Sequence, residues 1–201
     1  FFLNAYQNIQ KPDLSNLKTT KYIHKTQKDY QRYKLTANGV SPRGIPNLGE
    51  GLVCVDSDEH DTDGRITESF EVREKMVEKR LKKLDALKNE AIKPEIFGDE
   101  DYKTLIIGWG SNYGVIRDCV DEMDKEEVAF AYFKQLYPLH GNTQKILEKA
   151  ETIISIENNA TGQFADLLQN ETGIKIKKRI LKYNGMPFSK EELIKKTGGI
   201  K

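Results

Sequence analysis

A short apolar run that ends in two glycines constrains this chain more than any other stretch. In T-L-I-I-G-W-G-S-N-Y-G, Thr104 to Gly114, the residues Leu105, Ile106 and Ile107 form the kind of continuous run that fills a strand covered on both faces. Gly108 and Gly110 stop the run. Val115, Ile116, Cys119, Val120 and Met123 then recur at helical spacing, with Ser111 or Asn112 in position to cap the helix. Strand, glycine turn and helix in that order open a βαβ unit, and the unit calls for a parallel sheet.

The rest of residues 102–201 continues the alternation. The pattern predicts a strand at Val128 to Phe133, a helix from about Asn142 to Ala150 and a strand at Thr152 to Ile156. A helix from about Ala160 to Asn170, a strand at Ile174 to Lys182 and a last helix from Ser189 follow. The fold class is therefore α/β, a mainly parallel sheet with helices on both faces, preceded by a loop-rich arm and a long amphipathic helix. In such sheets ligands and partners meet the carboxyl ends of the strands. Two loops lie there: Gly108 to Gly114, and Glu157-Asn158-Asn159-Ala160-Thr161-Gly162-Gln163.

Residues 1–50 have little periodicity and many turn formers, including Lys11-Pro12-Asp13, Asn38-Gly39, Ser41-Pro42 and Pro46-Asn47-Leu48-Gly49. The proline-framed turn at Ser41-Pro42-Arg43 presents Arg43 at its tip, suited either to a plain surface connection or to an anion or partner subunit. The chain starts at Phe1 in an apolar Phe-Phe-Leu run that reads as the tail of a strand, so a piece of a longer polypeptide is expected. Leu52 to Val55 predicts a short strand. It leads into D-S-D-E-H-D-T-D-G-R-I-T, residues 56–67, the densest polar cluster in the chain.

Aligning Gly64 with the turn glycine of a calcium loop places Glu59, Asp61 and Asp63 at ligand positions, but Phe70 stands where the closing glutamate belongs. His60 among these carboxylates reads more simply as a hydrogen-bonded loop histidine than as a ligand or base. From Glu68 to Asn89 the spacing turns helical. Phe70, Val77, Leu81, Leu84 and Leu87 or Lys88 form an apolar stripe, and Glu71 with Lys75 and Glu78 with Lys82 are at ion-pair spacing. The stripe suits packing against a neighbouring domain. Lys93-Pro94 opens a linker to Asp101, which sets expected divisions of 1–50, 51–101 and 102–201.

Composition narrows the function classes. The 201 residues are 37% hydrophobic and 31% charged, yet the formal net charge is only +1, which argues against a general nucleic-acid binder. Lys175, Lys177, Lys178 and Arg179 read as a solvated strand rim. Cys54 and Cys119 lie in apolar surroundings with no CxxC spacing and no histidine at ligand distance, as expected of buried free thiols of a cytoplasmic protein. No apolar run approaches the ~20 residues of a membrane span.

The glycines at 108, 110 and 114 imitate a dinucleotide-binding loop, but the next strand ends Phe133-Lys134-Gln135 with no acid to hold a ribose, and Trp109 crowds the turn. The second loop offers Asn158, Asn159 and Thr161, of which Asn159 can cap the following helix. No catalytic set of Ser, His and Asp is visible, and no catalytic residue is assigned. A nucleotide-binding domain and a non-catalytic interaction module both stay open on these grounds.

Longer motifs go further. R-Y-K-L-T-A-N-G-V-S-P-R-G-I-P (32–46), S-D-E-H-D-T-D-G-R-I-T-E (57–68), V-R-E-K-M-V-E-K-R-L-K-K-L (72–84), G-W-G-S-N-Y-G (108–114), E-N-N-A-T-G-Q (157–163) and R-I-L-K-Y-N-G-M-P-F (179–188) occur in this order. With them the chain resembles the C-terminal part of the alpha subunit of 2-oxoacid:ferredoxin oxidoreductases, most closely the 2-oxoglutarate type. The resemblance implies oxidative decarboxylation of a 2-oxoacid on thiamine diphosphate, electron transfer through an iron-sulfur centre to ferredoxin, and delivery of the acyl group to coenzyme A. It implies that residues 102–201 are similar to the transketolase C-terminal domain and that residues 1–50 end a pyrimidine-binding domain.

Thiamine diphosphate, magnesium and the iron-sulfur cluster would sit mostly on a partner beta subunit, none of them on this chain, and gamma or delta subunits occur in some such complexes. The family's Tyr-Pro-Ile-Thr-Pro substrate motif is absent from this sequence. Pyruvate and branched-chain 2-oxoacids therefore stay open beside 2-oxoglutarate. The resemblance carries over no individual site residue; Ser41, Arg43, Asp58, His60 and Asp61, by their rigid, polar, motif-like character, and Asn158, Asn159 and Thr161, at a strand's carboxyl end, are the residues expected to border a cleft or a subunit interface.

Overall fold

The computed structural model describes residues 11, 13–16, 23–123 and 127–198. The strand tail expected at Phe1 to Leu3, and Pro12 of the first expected turn, lie outside them. The chain divides into two compact units, Phe1–Lys83 and Leu84–Lys201.

The second unit carries the sheet. Helix α1 (Phe70–Asn89) runs into it from the first unit and is followed by β1 (Glu95–Gly98), β2 (Thr104–Trp109), a single 3-10 turn (Gly110–Asn112) and α2 (Tyr113–Met123). Then come β3 (Val128–Phe133), α3 (Thr143–Glu148), β4 (Thr152–Glu157), α4 (Gln163–Thr172), β5 (Lys178–Leu181) and α5 (Lys190–Thr197). The strand order is β1-β3-β2-β4-β5, with β2, β3, β4 and β5 parallel and β1 antiparallel to β3. The α/β class is as expected. The edge strand β1 was not: Glu95 to Gly98 is only four residues behind Pro94, too short for periodicity to show, and its partner Tyr132 to Ala129 supplies the pairing.

Side chains alternate across each strand, so the run Leu105-Ile106-Ile107 feeds two cores. Leu105 and Ile107 join Ala129, Ala131, Phe133 and Ile153 beneath α3 and α4, whose Leu147, Phe164 and Leu168 close that face. Ile106 joins Phe130, Ile154 and Ile156 beneath α2 and α5, which contribute Ile116, Cys119, Val120 and Leu193. All three residues of the run are fully buried, and each such side chain contributes roughly 1.5–3 kcal/mol relative to exposure. Burial on both faces is why the run contains no polar residue.

Several boundaries differ from the sequence expectation for local reasons. β5 begins at Lys178, because its ladder matches only Ile154 to Glu157 of β4; Ile174 and Ile176 pack into the core without pairing. α4 begins at Gln163 rather than near Ala160, because the Asn159 side chain holds the amides of Thr161, Gly162 and Gln163 and Gly162 adopts the left-handed φ of 75°. Neither Ser111 nor Asn112 caps α2; the 3-10 turn intervenes and makes no side-chain cap. Among the described residues Leu52 to Val55 is no strand. Leu52 and Val55 are exposed and the Cys54 thiol donates to the Gly64 carbonyl at 3.2 Å.

Among its described residues the first unit is a wrapped arm without regular sheet. Thr26 organises it: its amide donates to the Leu48 carbonyl at 3.0 Å, its hydroxyl accepts the Gly51 amide at 3.0 Å and its carbonyl accepts the Glu50 amide at 2.9 Å. The arm meets α1 at Gly39, whose carbonyl accepts the Lys79 ammonium at 3.0 Å. The expected helical stripe points away from this contact. Phe70 is 84% exposed and Val77, Leu81 and Leu87 are also exposed, while Met76, off the stripe, is the buried residue of α1. Between residues of α1 the ion pair that forms is Lys88 with Asp85, at 3.7 Å, not the Glu71 and Glu78 pairs that spacing suggested.

Candidate functional site

At the carboxyl edge of the sheet, β2 leads through α2 to β3 on one side, and β4 leads through α4 to β5 on the other. Their connections part, which opens a crevice at the switch point. One wall is the loop after β4. Glu157 is the last residue of β4 and, by alternation, shares the α4 face with Ile153 and Ser155. Its side chain is 0% exposed.

Four donors surround that carboxylate. The Ser155 hydroxyl donates at 2.6 Å, the Asn159 side-chain amide at 2.8 Å, and the backbone amides of Phe164 and Ala165, in the first turn of α4, at 2.9 and 3.0 Å. Burial pushes the carboxyl upward, but the hydroxyl and amide donors outweigh it and hold the group below the usual carboxylate range. Arg179 braces the same loop from β5, donating to the Thr161 carbonyl at 3.0 Å and pairing with Asp166 at 2.7 Å. Arg179 is thus a brace rather than part of a solvated rim, a role its neighbouring lysines obscured in the sequence.

Glu157 and Asn159 are consumed in holding the loop. Asn158, between them, is exposed and makes no side-chain hydrogen bond to another described residue. It lines an open cleft of about 460 Å³ with Ser111, Lys182, Tyr183, Gly185, Met186 and Pro187. The sequence motif R-I-L-K-Y-N-G-M-P-F contained most of this wall, but nothing in its composition marked Lys182, Tyr183 or Met186 as lining a cleft.

The other candidate residues belong to the first unit. The Tyr30 hydroxyl donates to the Pro42 carbonyl at 2.9 Å and accepts the Gly44 amide at 2.6 Å, so both sides of Arg43 are clamped and its side chain is left exposed. The Ser41 hydroxyl donates to the Lys34 carbonyl at 2.8 Å and is used in shaping the same turn. Tyr30 was the residue that sequence reasoning missed; only its distance in space from Pro42 reveals the clamp.

In the polar loop, the His60 ring stacks on Tyr33 with centroids 3.6 Å apart. Glu59 takes both guanidinium nitrogens of Arg80, at 3.2 and 2.8 Å, and this pairing chiefly holds its carboxyl below the usual range. Asp61 accepts the Arg65 amide at 3.0 Å and the Asp63 amide at 2.9 Å, with its carboxyl also lowered, first by the Arg65 amide. Asp58 is exposed. The carboxylates of the calcium-like pattern therefore serve the loop itself, and among the described residues no three His, Cys, Asp or Glu side chains are placed to hold a metal ion.

No family model matches the chain. The alpha subunit of 2-oxoacid:ferredoxin oxidoreductase 1 from Sulfurisphaera tokodaii is 34% identical over 198 residues, spanning 94% of this chain and 31% of that protein. The alpha subunit of the Saccharolobus solfataricus enzyme is 35% identical over 201 residues, spanning 94% and 32%. The chain belongs to the 2-oxoacid:ferredoxin oxidoreductase alpha-subunit family. This alpha-subunit chain spans about a third of the length of the relatives it matches. Its fold also matches a solved 2-oxoglutarate:ferredoxin oxidoreductase from Magnetococcus marinus with 2-oxoglutarate, coenzyme A and succinyl-CoA bound, at a TM-score of 0.77 and 26% identity. That match covers 84% of this chain and 30% of the other.

Proposed function

We propose that this chain is part of the alpha subunit of an enzyme that converts a 2-oxoacid and coenzyme A to the acyl-CoA, carbon dioxide and reduced ferredoxin. The observation that carries the reading is the family match along 94% of the chain, joined to the shared fold with an oxidoreductase that holds both substrates. 2-Oxoglutarate is favoured over pyruvate or branched-chain 2-oxoacids because it is the acid bound in that neighbour. Residues 102–201 act in this reading as a transketolase C-terminal-like domain, after the end of a pyrimidine-binding domain in residues 1–50, and serve chiefly assembly.

The described residues do not fit a metal ion or an iron-sulfur cluster held by this chain's own side chains. They offer no cluster of metal-ligating side chains, Cys119 on α2 is buried in the core against the sheet and α5, and the Cys54 thiol donates to the Gly64 carbonyl. In this reading thiamine diphosphate, magnesium and an iron-sulfur cluster belong to the rest of the complex, principally a beta subunit. No described helix is long and apolar enough to cross a membrane, and the free thiols suit the cytoplasm.

The Ser41 to Arg43 turn and the Asp58 to Asp61 loop are assigned to the border of the active-site cleft or subunit interface, supported by the exposed, clamped Arg43. The test is co-purification of the complete gene product with its neighbouring-gene partners, then 2-oxoacid- and coenzyme A-dependent reduction of ferredoxin or a viologen dye. Activity with 2-oxoglutarate is expected. A stably assembled, cofactor-loaded complex that reduced nothing with any 2-oxoacid would overturn the reading, and unchanged turnover and assembly in Arg43→Ala would remove that turn from it.

A further inference from the structure

Asparagine precedes glycine at two places in the chain, Asn38-Gly39 and Asn184-Gly185. Such a pair can react with itself, because glycine has no side chain to keep its own nitrogen away from the asparagine carboxamide. The reaction requires that nitrogen to swing onto the carboxamide carbon, so it is slow wherever the fold holds the glycine amide. The two pairs are alike in local geometry. Each asparagine Oδ1 accepts the amide two residues on, that of Val40 or of Met186, at 3.1 Å, and each glycine is left-handed, with φ of +73° and +81°. What surrounds them differs.

Gly39 is buried and held by its neighbours. Its amide donates to the Thr36 carbonyl at 3.2 Å, its carbonyl accepts the Lys79 ammonium at 3.0 Å, and the Thr36 hydroxyl adds a second donor to Asn38 Oδ1 at 3.1 Å. A nitrogen fixed in this way cannot move without breaking the turn away from α1. Asn184 and Gly185 are both exposed. The Gly185 amide donates to no acceptor among the described residues, and a Cβ at Gly185 would meet nothing within 4 Å. The nitrogen that must move is free and has open space about it, in the connection between β5 and α5.

We infer that Asn184 is a site of spontaneous conversion to aspartate and isoaspartate, and that Asn38 is protected from it by the fold. The Gly185 nitrogen attacks the Asn184 carboxamide carbon. The new N–C bond closes a succinimide ring, the bond from that carbon to Nδ2 breaks, and ammonia leaves with the proton that the Gly185 nitrogen gives up. Water then adds to one of the ring carbonyls. Opening at the side-chain carbonyl gives aspartate, opening at the main-chain carbonyl gives isoaspartate, and neither step needs an oxidant or a reductant. Either product puts a carboxylate between Tyr183 and Gly185, two residues of the cleft wall, and isoaspartate also lengthens the main chain there by one methylene. The inference does not rest on the proposed function.

The test uses the complete complex, aged at mildly alkaline pH and compared with an unaged sample by peptide mass spectrometry, with isoaspartate identified by an isoaspartyl methyltransferase. Asn184 should convert at least about tenfold faster than Asn38, the factor expected when one backbone hydrogen bond must first be broken. Proteolytic peptides spanning each pair, aged in parallel, should convert at similar rates, because the contacts that separate the two sites are gone. An Asn184 that converts no faster than Asn38 in the folded complex would overturn the inference. So would peptides that show the same disparity as the folded complex, since the difference would then lie in local sequence and not in the fold.

Discussion

The Glu157 carboxylate accepts the Phe164 amide at 2.9 Å, so the last residue of a buried strand supplies the counter-charge for the first turn of the helix that follows it. A single carboxylate thereby joins β4 to α4 and sets the path of the loop between them. Removing it leaves the Phe164 and Ala165 amides, the Ser155 hydroxyl and a void without partners. Glu157→Ala is expected to lose about 3 kcal/mol or more of stability and Glu157→Gln, which keeps one acceptor, about 1–2 kcal/mol, both read by urea unfolding. Equal stability of Glu157→Ala and the parent would refute the role.

The same group fixes a pH dependence. Its carboxyl lies below the unfolded value of about 4.3, so it stabilises the fold at every pH above that value and loses the contribution as pH falls toward its folded value. Acid unfolding should be less steep in Glu157→Gln than in the parent below about pH 4.5, with parallel behaviour at neutral pH.

Tyr30 holds the Arg43 turn from inside. Tyr30→Phe deletes the hydroxyl that joins the Pro42 carbonyl and the Gly44 amide, and about 1–2 kcal/mol of stability is expected to go with it. Hydrogen exchange at the Gly44 amide should rise in the variant; a Gly44 amide as protected as in the parent would show that the clamp is not needed.

Gly39 tolerates no side chain. Its φ is +73°, and a Cβ there would stand 2.4 Å from the Lys79 carbonyl of α1. Gly39→Ala should cost about 2 kcal/mol or more, because strain in the left-handed region adds to a backbone contact that cannot relax by turning a side chain. Thermal unfolding is the measure, and a neutral outcome would mean that the arm does not seat on the helix at this point.

The bidentate pair between Arg80 and Glu59 has a smaller thermodynamic effect. Arg80 is about half exposed, so Arg80→Ala should change global stability by at most ~1 kcal/mol. Its local effect should be larger. The Thr67 amide, which donates to the Glu59 carbonyl at 2.9 Å, is expected to exchange faster once Glu59 is released from the helix.

What could be read from residue order was whatever depends on neighbours along the chain. Leu105, Ile106 and Ile107 required a strand covered on both faces, the spacing from Val115 to Met123 required a helix, and the ordered motifs from Arg32 to Phe188 pointed to the family that the relatives bear out. Asn159 was legible as a cap, and it does hold the amides that lead into α4.

Tertiary structure decided whatever depends on residues distant in sequence. β1 exists because β3 is beside it, β5 is short because β4 pairs with only four of its residues, and Leu52 to Val55 pairs with no strand among the described residues. Tyr30 and Pro42, Glu59 and Arg80, and Ser111 and Tyr183 are brought together by chain reversals, and their spacing in sequence carries no trace of it. Periodicity records which face of an element is apolar, but only three-dimensional packing determines which groups remain free: the same loop spends Glu157 on two helix amides and leaves Asn158 facing the cleft.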